Sequence, residues 1–254
     1  MKAVVNIVTF IILGFILNPL SAQQDYSISL LPFNTSDYDE YAPVYHRGNV
    51  VFCSNRKNSI FITYTDEKEN MPSLDIFQVE EIGRNEWSKV MEFNKDLHTP
   101  YNEGPVTFND RGTEMYFTRN NDIKKRIGNS VKRKNTLGIY VTKYNRREDK
   151  WSEPAPFKYN NKEYNVAHPS LSEDGNFLYF VSDMEGGFGG TDLYVCELEN
   201  GNWSAPQNLG STINTSGNEY FPFIHSTGRL YFSSDEHGSI GRLDIFYTEK
   251  VNGE

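Results

Sequence analysis

The feature that most constrains this chain is a passage that recurs four times along it. Asn218-Glu219-Tyr220-Phe221-Pro222, a polar turn ending at Thr227-Gly228, and Leu230-Tyr231-Phe232-Ser233-Ser234-Asp235 form one copy. His168-Pro169-Ser170-Leu171-Ser172-Glu173-Asp174-Gly175 with Leu178-Tyr179-Phe180-Val181-Ser182-Asp183 forms another. Two earlier copies run from Pro105 through Arg111-Gly112 to Met115-Tyr116-Phe117-Thr118, and from Pro43 through Arg47-Gly48 to Val50-Val51-Phe52-Cys53-Ser54. The four prolines are spaced by 62, 64 and 53 residues. Trp87, Trp151 and Trp203, each followed by Ser, keep the same phase, 64 and 52 residues apart. A third set is Leu74-Asp75-Ile76-Phe77, Leu137-Gly138-Ile139-Tyr140, Asp192-Leu193-Tyr194 and Leu243-Asp244-Ile245-Phe246. Three landmarks sharing one period of this length mark a propeller or solenoid.

Within each unit the segments are short, β-branched or aromatic, and bounded by Gly, Asp, Asn or Pro, which predicts four short strands, A to D. Strand A is expected to start at the proline, where no ladder donor is lost. A tight turn such as Asp174-Gly175 leads to B, because Gly supplies the positive φ that the hairpin needs. Strand C is the Asp-Ile-Phe strand, and D begins near the Trp. A sheet of this kind cannot bury both faces alone, so the units must pack in a ring. The expected fold is all-β, a β-propeller of four-stranded antiparallel blades, at about residues 37–100, 101–162, 163–215 and 216–254. Strand D of the last blade is missing from the pattern. Residues 26–36 are a possible closing strand, since Asn34-Thr35-Ser36 before Glu40 echoes Asn214-Thr215-Ser216 before Glu219. A closed small ring and a truncated larger ring both remain open.

LSEDGNFLYFVSDMEGGFGGTDLYV, joined to the next repeat by GNWSAPQNLGSTINTSGNEYFPF, resembles the WD40-like repeat of TolB-type propellers. It is more similar still to the propeller region of OmpA-family envelope proteins associated with type IX secretion. The resemblance spans about residues 37–254. It implies a periplasmic or outer-membrane-associated binding scaffold with an envelope protein as partner. The peptidoglycan-binding domain of those envelope proteins is not in this sequence, so that activity does not carry over.

Residues 1–22 read as a signal peptide: Met1-Lys2 is a short positive region, Val4 to Leu17 is almost wholly apolar, and Ser21-Ala22 precede Gln23. Membrane association is then only indirect. A formal net charge of -9 excludes the cationic surface that nucleic-acid binding requires. Cys53 and Cys196 fall in different blades and are expected to be buried single thiols.

The five histidines (46, 98, 168, 225 and 237) show no metal-ligand spacing, and no triad can be assembled, so neither a metal nor a cofactor nor catalysis is expected. Gly186-Gly187-Phe188-Gly189-Gly190 precedes a strand and not a helix, which makes it a turn and not a phosphate loop. Asp75, Asp192 and Asp244 are expected to accept backbone N–H groups of the B to C turns. Glu40, Glu103 and Glu219, with Glu163, stand in comparable D to A connections and could converge on the ring axis. A glycan-binding or carbohydrate-active site there is the alternative to a protein-binding scaffold. The insertion 121–138 gathers Lys124, Lys125, Arg126, Lys132, Arg133 and Lys134 in an otherwise acidic chain, a candidate surface for an acidic partner.

Overall fold

The computed structural model describes residues 29–56, 73–84, 86–99, 101–121 and 136–250. The chain divides into Met1–Leu31 and Pro32–Glu254, and the described residues of the first unit form no regular element. The second unit is a β-propeller of four antiparallel sheets. Blade 1 holds β1 (Glu40–His46), β2 (Asn49–Ser54) and β3 (Asp75–Gly83), with the two-residue pieces β4 (Glu86–Trp87) and β5 (Met91–Glu92) on the outer side of β3. Blade 2 repeats this with β6 (Glu103–Phe108), β7 (Glu114–Asn120), β8 (Leu137–Asn145), β9 (Lys150–Trp151) and β10 (Ala155–Pro156). Blade 3 does so with β11 (Val166–Leu171), β12 (Phe177–Ser182), β13 (Asp192–Glu199), β14 (Asn202–Trp203) and β15 (Gln207–Asn208). Blade 4 comprises β16 (Glu219–Ile224), β17 (Leu230–Ser234) and β18 (Asp244–Thr248), with no fourth strand among the described residues.

The outer strand is split because Ser88, Ser152 and Ser204 each donate a backbone N–H to the neighbouring long strand and then let the chain leave it. The inner strand departs from expectation in a different way. It begins two or three residues before the proline, and the proline lies inside it. A bulge makes room: Tyr41 pairs with Cys53 and Val44 with Val51, so Ala42-Pro43 together face Phe52 alone. The same register shift recurs around Gly104-Pro105, His168-Pro169 and Phe221-Pro222. A bulge leaves one residue out of the ladder, so a proline without an N–H is accommodated.

The core lies between blades. Val51, Ile76, Leu97, Val106, Met115 and Phe117 join blade 1 to blade 2. Ile139, Phe157, Leu178 and Phe180 join blade 2 to blade 3, and Ala167, Val181, Leu193 and Phe232 join blade 3 to blade 4. Each buried aromatic or aliphatic side chain contributes about 1.5–3 kcal/mol. The tryptophans close these seams from outside: Trp151 packs on His46, Phe93 and Phe108, and Trp203 on Tyr116 and Phe157. Cys53 and Cys196 are buried, unpaired thiols.

Residues 29–36, within the stretch considered as a closing strand, form no strand, and Pro32-Phe33 make a turn. Phe33 stacks on Phe52 at 5.5 Å and meets Trp87 edge-on at 5.3 Å, covering the face of blade 1 that turns away from blade 2. Residues 26–28 and residues 1–22, expected to be a signal peptide, lie outside the described residues.

Candidate functional site: the propeller axis and the blade junctions

The four bulges bring the same chemistry to one place. The inner strands surround an axial cavity of about 230 Å³ lined by Ala42-Pro43-Val44, Pro105 to Thr107, His168 to Ser170 and Phe221 to Phe223. The residue before each proline is left-handed: Ala42 at φ 50°, Gly104 at 95°, His168 at 52° and Phe221 at 52°. Non-glycine residues in that region cost about 1–3 kcal/mol each and persist only where their surroundings hold them. Cross-blade hydrogen bonds do so here. Thr118 Oγ1 accepts the His168 N–H, Thr107 Oγ1 that of Leu171, and Ser170 Oγ that of Ile224. In blade 2 only glycine fits, because a Cβ at Gly104 would overlap Cys53 Sγ.

These kinks set aromatic faces at the axis. The His168 imidazole stacks on Phe221 at 4.2 Å and 8°, and Tyr41 meets Phe221 edge-on at 5.8 Å, joining blade 1 to blade 4. Desolvation lowers the His168 pKa to about 4, so the ring is neutral near pH 7 and behaves as an aromatic plate. Burial likewise raises the Tyr41 hydroxyl far above the usual phenol range. The sequence signal for this set was the residue before each repeated proline, which periodicity alone does not single out.

No carboxylate lines the axial cavity. Glu40, Glu103 and Glu219 each open an inner strand, and their oxygens, Glu103 Oε2 apart, are engaged within or between blades. Glu219, fully buried, accepts from Thr215 N at 3.1 Å, Thr215 Oγ1 at 2.5 Å and Ser234 Oγ at 2.9 Å. Glu40 accepts from Thr35 Oγ1 at 3.2 Å and pairs with Arg56 at 2.7 Å. Glu103 accepts from Thr99 Oγ1 and lies 3.4 Å from Arg119 Nε, while burial pushes its carboxyl up to about 9. Glu163 is exposed and outside any strand; Val166 takes the strand-opening place in blade 3.

The residue before the strand opener ties each blade together and to its predecessor. Asp39, Asn102, Asn165 and Asn218 each donate the backbone N–H to Asn55, Asn120, Asp183 and Asp235, respectively, which end or follow the second strand. Asn102 and Asn165 also accept the N–H of Leu74 and Leu137 in the preceding blade. Asp192 accepts from Phe188 N at 2.6 Å and Gly189 N at 3.1 Å, and Asp244 from Ile240 N at 2.6 Å. At Asp75 the B to C turn lies outside the described residues, and His98 Nδ1 lies 2.6 Å from its Oδ1. Together with Glu103 these side chains line a small void between blades 1 and 2, a grouping that reasoning from histidine spacing missed. Aligning His98-Thr99-Pro100-Tyr101-Asn102-Glu103 with Asn214-Thr215-Ser216-Gly217-Asn218-Glu219 would have exposed it. Lys124, Lys125, Arg126, Lys132, Arg133 and Lys134 lie outside the described residues.

No family model matches the chain, and no curated protein matches it. Solved structures do. A thermostable family-43 glycoside hydrolase overlays with a TM-score of 0.52 at 10% identity, over 85% of this chain and 73% of that one. TolB from Acinetobacter baumannii overlays at 0.42 with 15% identity, over 71% of this chain. A putative TolB from Agrobacterium tumefaciens gives 0.46 with 12% identity, over 80% of this chain and 57% of that one. The chain spans only 36% of the length of the Acinetobacter protein. At such identities the glycoside hydrolase likeness is one of fold and carries no residue's role across.

Proposed function

We propose that this chain is a non-catalytic binding scaffold of the bacterial cell envelope that presents its blades' loops to a protein partner. The observation that carries this reading is the placement of the three repeat glutamates. They are tied into the framework by hydrogen bonds and ion pairs, and the axial cavity is walled by prolines, apolar groups, His168, Thr107 and Ser170, without a carboxylate. Acid–base cleavage of a glycosidic bond needs two carboxyls facing the substrate. The envelope location rests on the signal-like residues 1–22 and on the sequence resemblance to OmpA-family and type IX secretion-associated propellers. Rigid blades carrying loops are where binding function concentrates.

A second reading, glycan binding on the axis, is favoured by the neutral His168 ring and the Phe221 ring that line the cavity, which are flat faces of the kind sugars stack on.

The test is capture of envelope proteins by the full chain and by a variant with Lys124, Lys125, Arg126, Lys132, Arg133 and Lys134 changed to Gln. A specific partner held by wild type and lost by the variant is the expected result. Retention of that partner by the six-fold variant would remove the insertion from the interface. Glycan binding abolished by F221A, with no protein captured, would replace the scaffold reading by the second one.

A further inference from the structure

The junction of blades 1 and 2 differs from that of blades 3 and 4 in its chemistry. At the latter, Asp192, Asn214 and Glu219 are satisfied by neutral groups: Asn214 brackets Leu193, accepting its N–H and donating to its carbonyl. Asp75, His98 and Glu103 hold the same three places at the former. An imidazole thus replaces the amide, and its Nδ1 lies 2.6 Å from Asp75 Oδ1. One ligand atom from each of the three residues lies within 4.8 Å of the other two. The void they line, closed by Ile76, Phe93 and Leu97, measures about 10 Å³, room for a single water-sized body.

A second observation is independent of that grouping. Glu103 is only 1% exposed, it lines the void, and no protein donor reaches its Oε2, while the Asp75 carboxyl lies against it. Thr99 and Arg119 both serve Oε1. A buried carboxylate oxygen left without a donor is costly, and a cation removes that cost.

We propose that Asp75, His98 and Glu103 form a divalent-cation site of the zinc type that staples blade 1 to blade 2. Its ligands come from the start of β3, the residue that caps the 3₁₀ turn Lys95–Leu97, and the start of β6. One imidazole and two carboxylates suit zinc, which takes three protein ligands and a water with donor atoms about 3.3 Å apart. Calcium needs six to eight oxygens and magnesium keeps several waters, and neither demand fits so small a void. Two carboxylates balance the ion's charge once Glu103 gives up its proton, so binding releases a proton.

The experiment is equilibrium dialysis of the full chain against zinc chloride, read as zinc per chain and as the melting temperature with and without the metal. Wild type is expected to hold about one zinc and to melt higher with it. H98N carries the residue that blade 3 has at this place, and it is expected to fold, hold no zinc and show no shift. E103Q is expected to do the same. Absence of zinc on wild type, or equal zinc on H98N, overturns the proposal, as does loss of zinc on H225N or H237N instead. If neither site variant folds, cobalt(II) added to wild type decides: tetrahedral-type absorption bands support the site, and a spectrum like free cobalt overturns it.

Discussion

At the scale of single residues, the repeat is written in groups that a hydropathy pattern does not rank. Gly104 is one. Its φ of 95° and the Cys53 Sγ beside it leave no space for a side chain. G104A should therefore lose about 1–3 kcal/mol in urea unfolding, and C53A in the same chain should recover the part that is steric overlap, leaving the part due to φ. His168 and His46 supply a pH signature. Both are held near pKa 4 by desolvation, against 6.5 in an unfolded chain. Between those values the unfolded chain takes up protons that the native one refuses, so stability falls as pH drops from 6.5 to 4 and is regained above 6.5. Each histidine adds a slope of up to about 1.4 kcal/mol per pH unit in that window. H168N, which tolerates the left-handed backbone but does not titrate, should flatten the pH dependence of the unfolding midpoint there. An unchanged slope would mean that the imidazole is not desolvated.

At the scale of elements, the strands were legible because period-two patterns and turn residues repeat with one phase. Their order within each blade follows from the same landmarks. Two features were not legible. The inner strand begins before its proline because the bulge is a matter of register, and nothing in a single strand's composition fixes register against its neighbour. Of the stretch 26–36 considered as a closing strand, the described residues 29–36 form no strand, and its echo of 214–216 corresponds to a shared bond: Thr35 and Thr215 each donate to the strand-opening glutamate. The blades are also unequal. β7 and β12 lie inside their sheets and are buried along most of their length, whereas β18 is an outer strand with Ile245 79% and Tyr247 57% exposed. Native-state hydrogen exchange should therefore release the β18 amides that point away from β17 orders of magnitude sooner than those of β7 and β12. Uniform protection across all four blades would show that another strand covers β18.

At the scale of the whole molecule, the propeller and its four blades were legible in the repeat, whereas the closure of the ring and the contents of its axis were not. Glu40, Glu103 and Glu219 recur in phase, which suggested convergence. A glutamate that opens an inner strand is drawn instead to the Thr four or five residues before it and to polar groups ending the second strand, such as Ser234 and Arg119. The axis is left to the residues that flank the prolines. The scaffold role proposed above rests on this placement. The most direct measurement is reducing-sugar release from a panel of polysaccharides by wild type and by E219Q, compared at equal folded fraction. No release from either protein is expected, while E219Q should lose about 1–3 kcal/mol of stability because its amide faces hydroxyl and N–H donors. Sugar release by wild type that E219Q abolishes, with the unfolding midpoint unchanged, would contradict the framework role of these glutamates and make the axis a catalytic site.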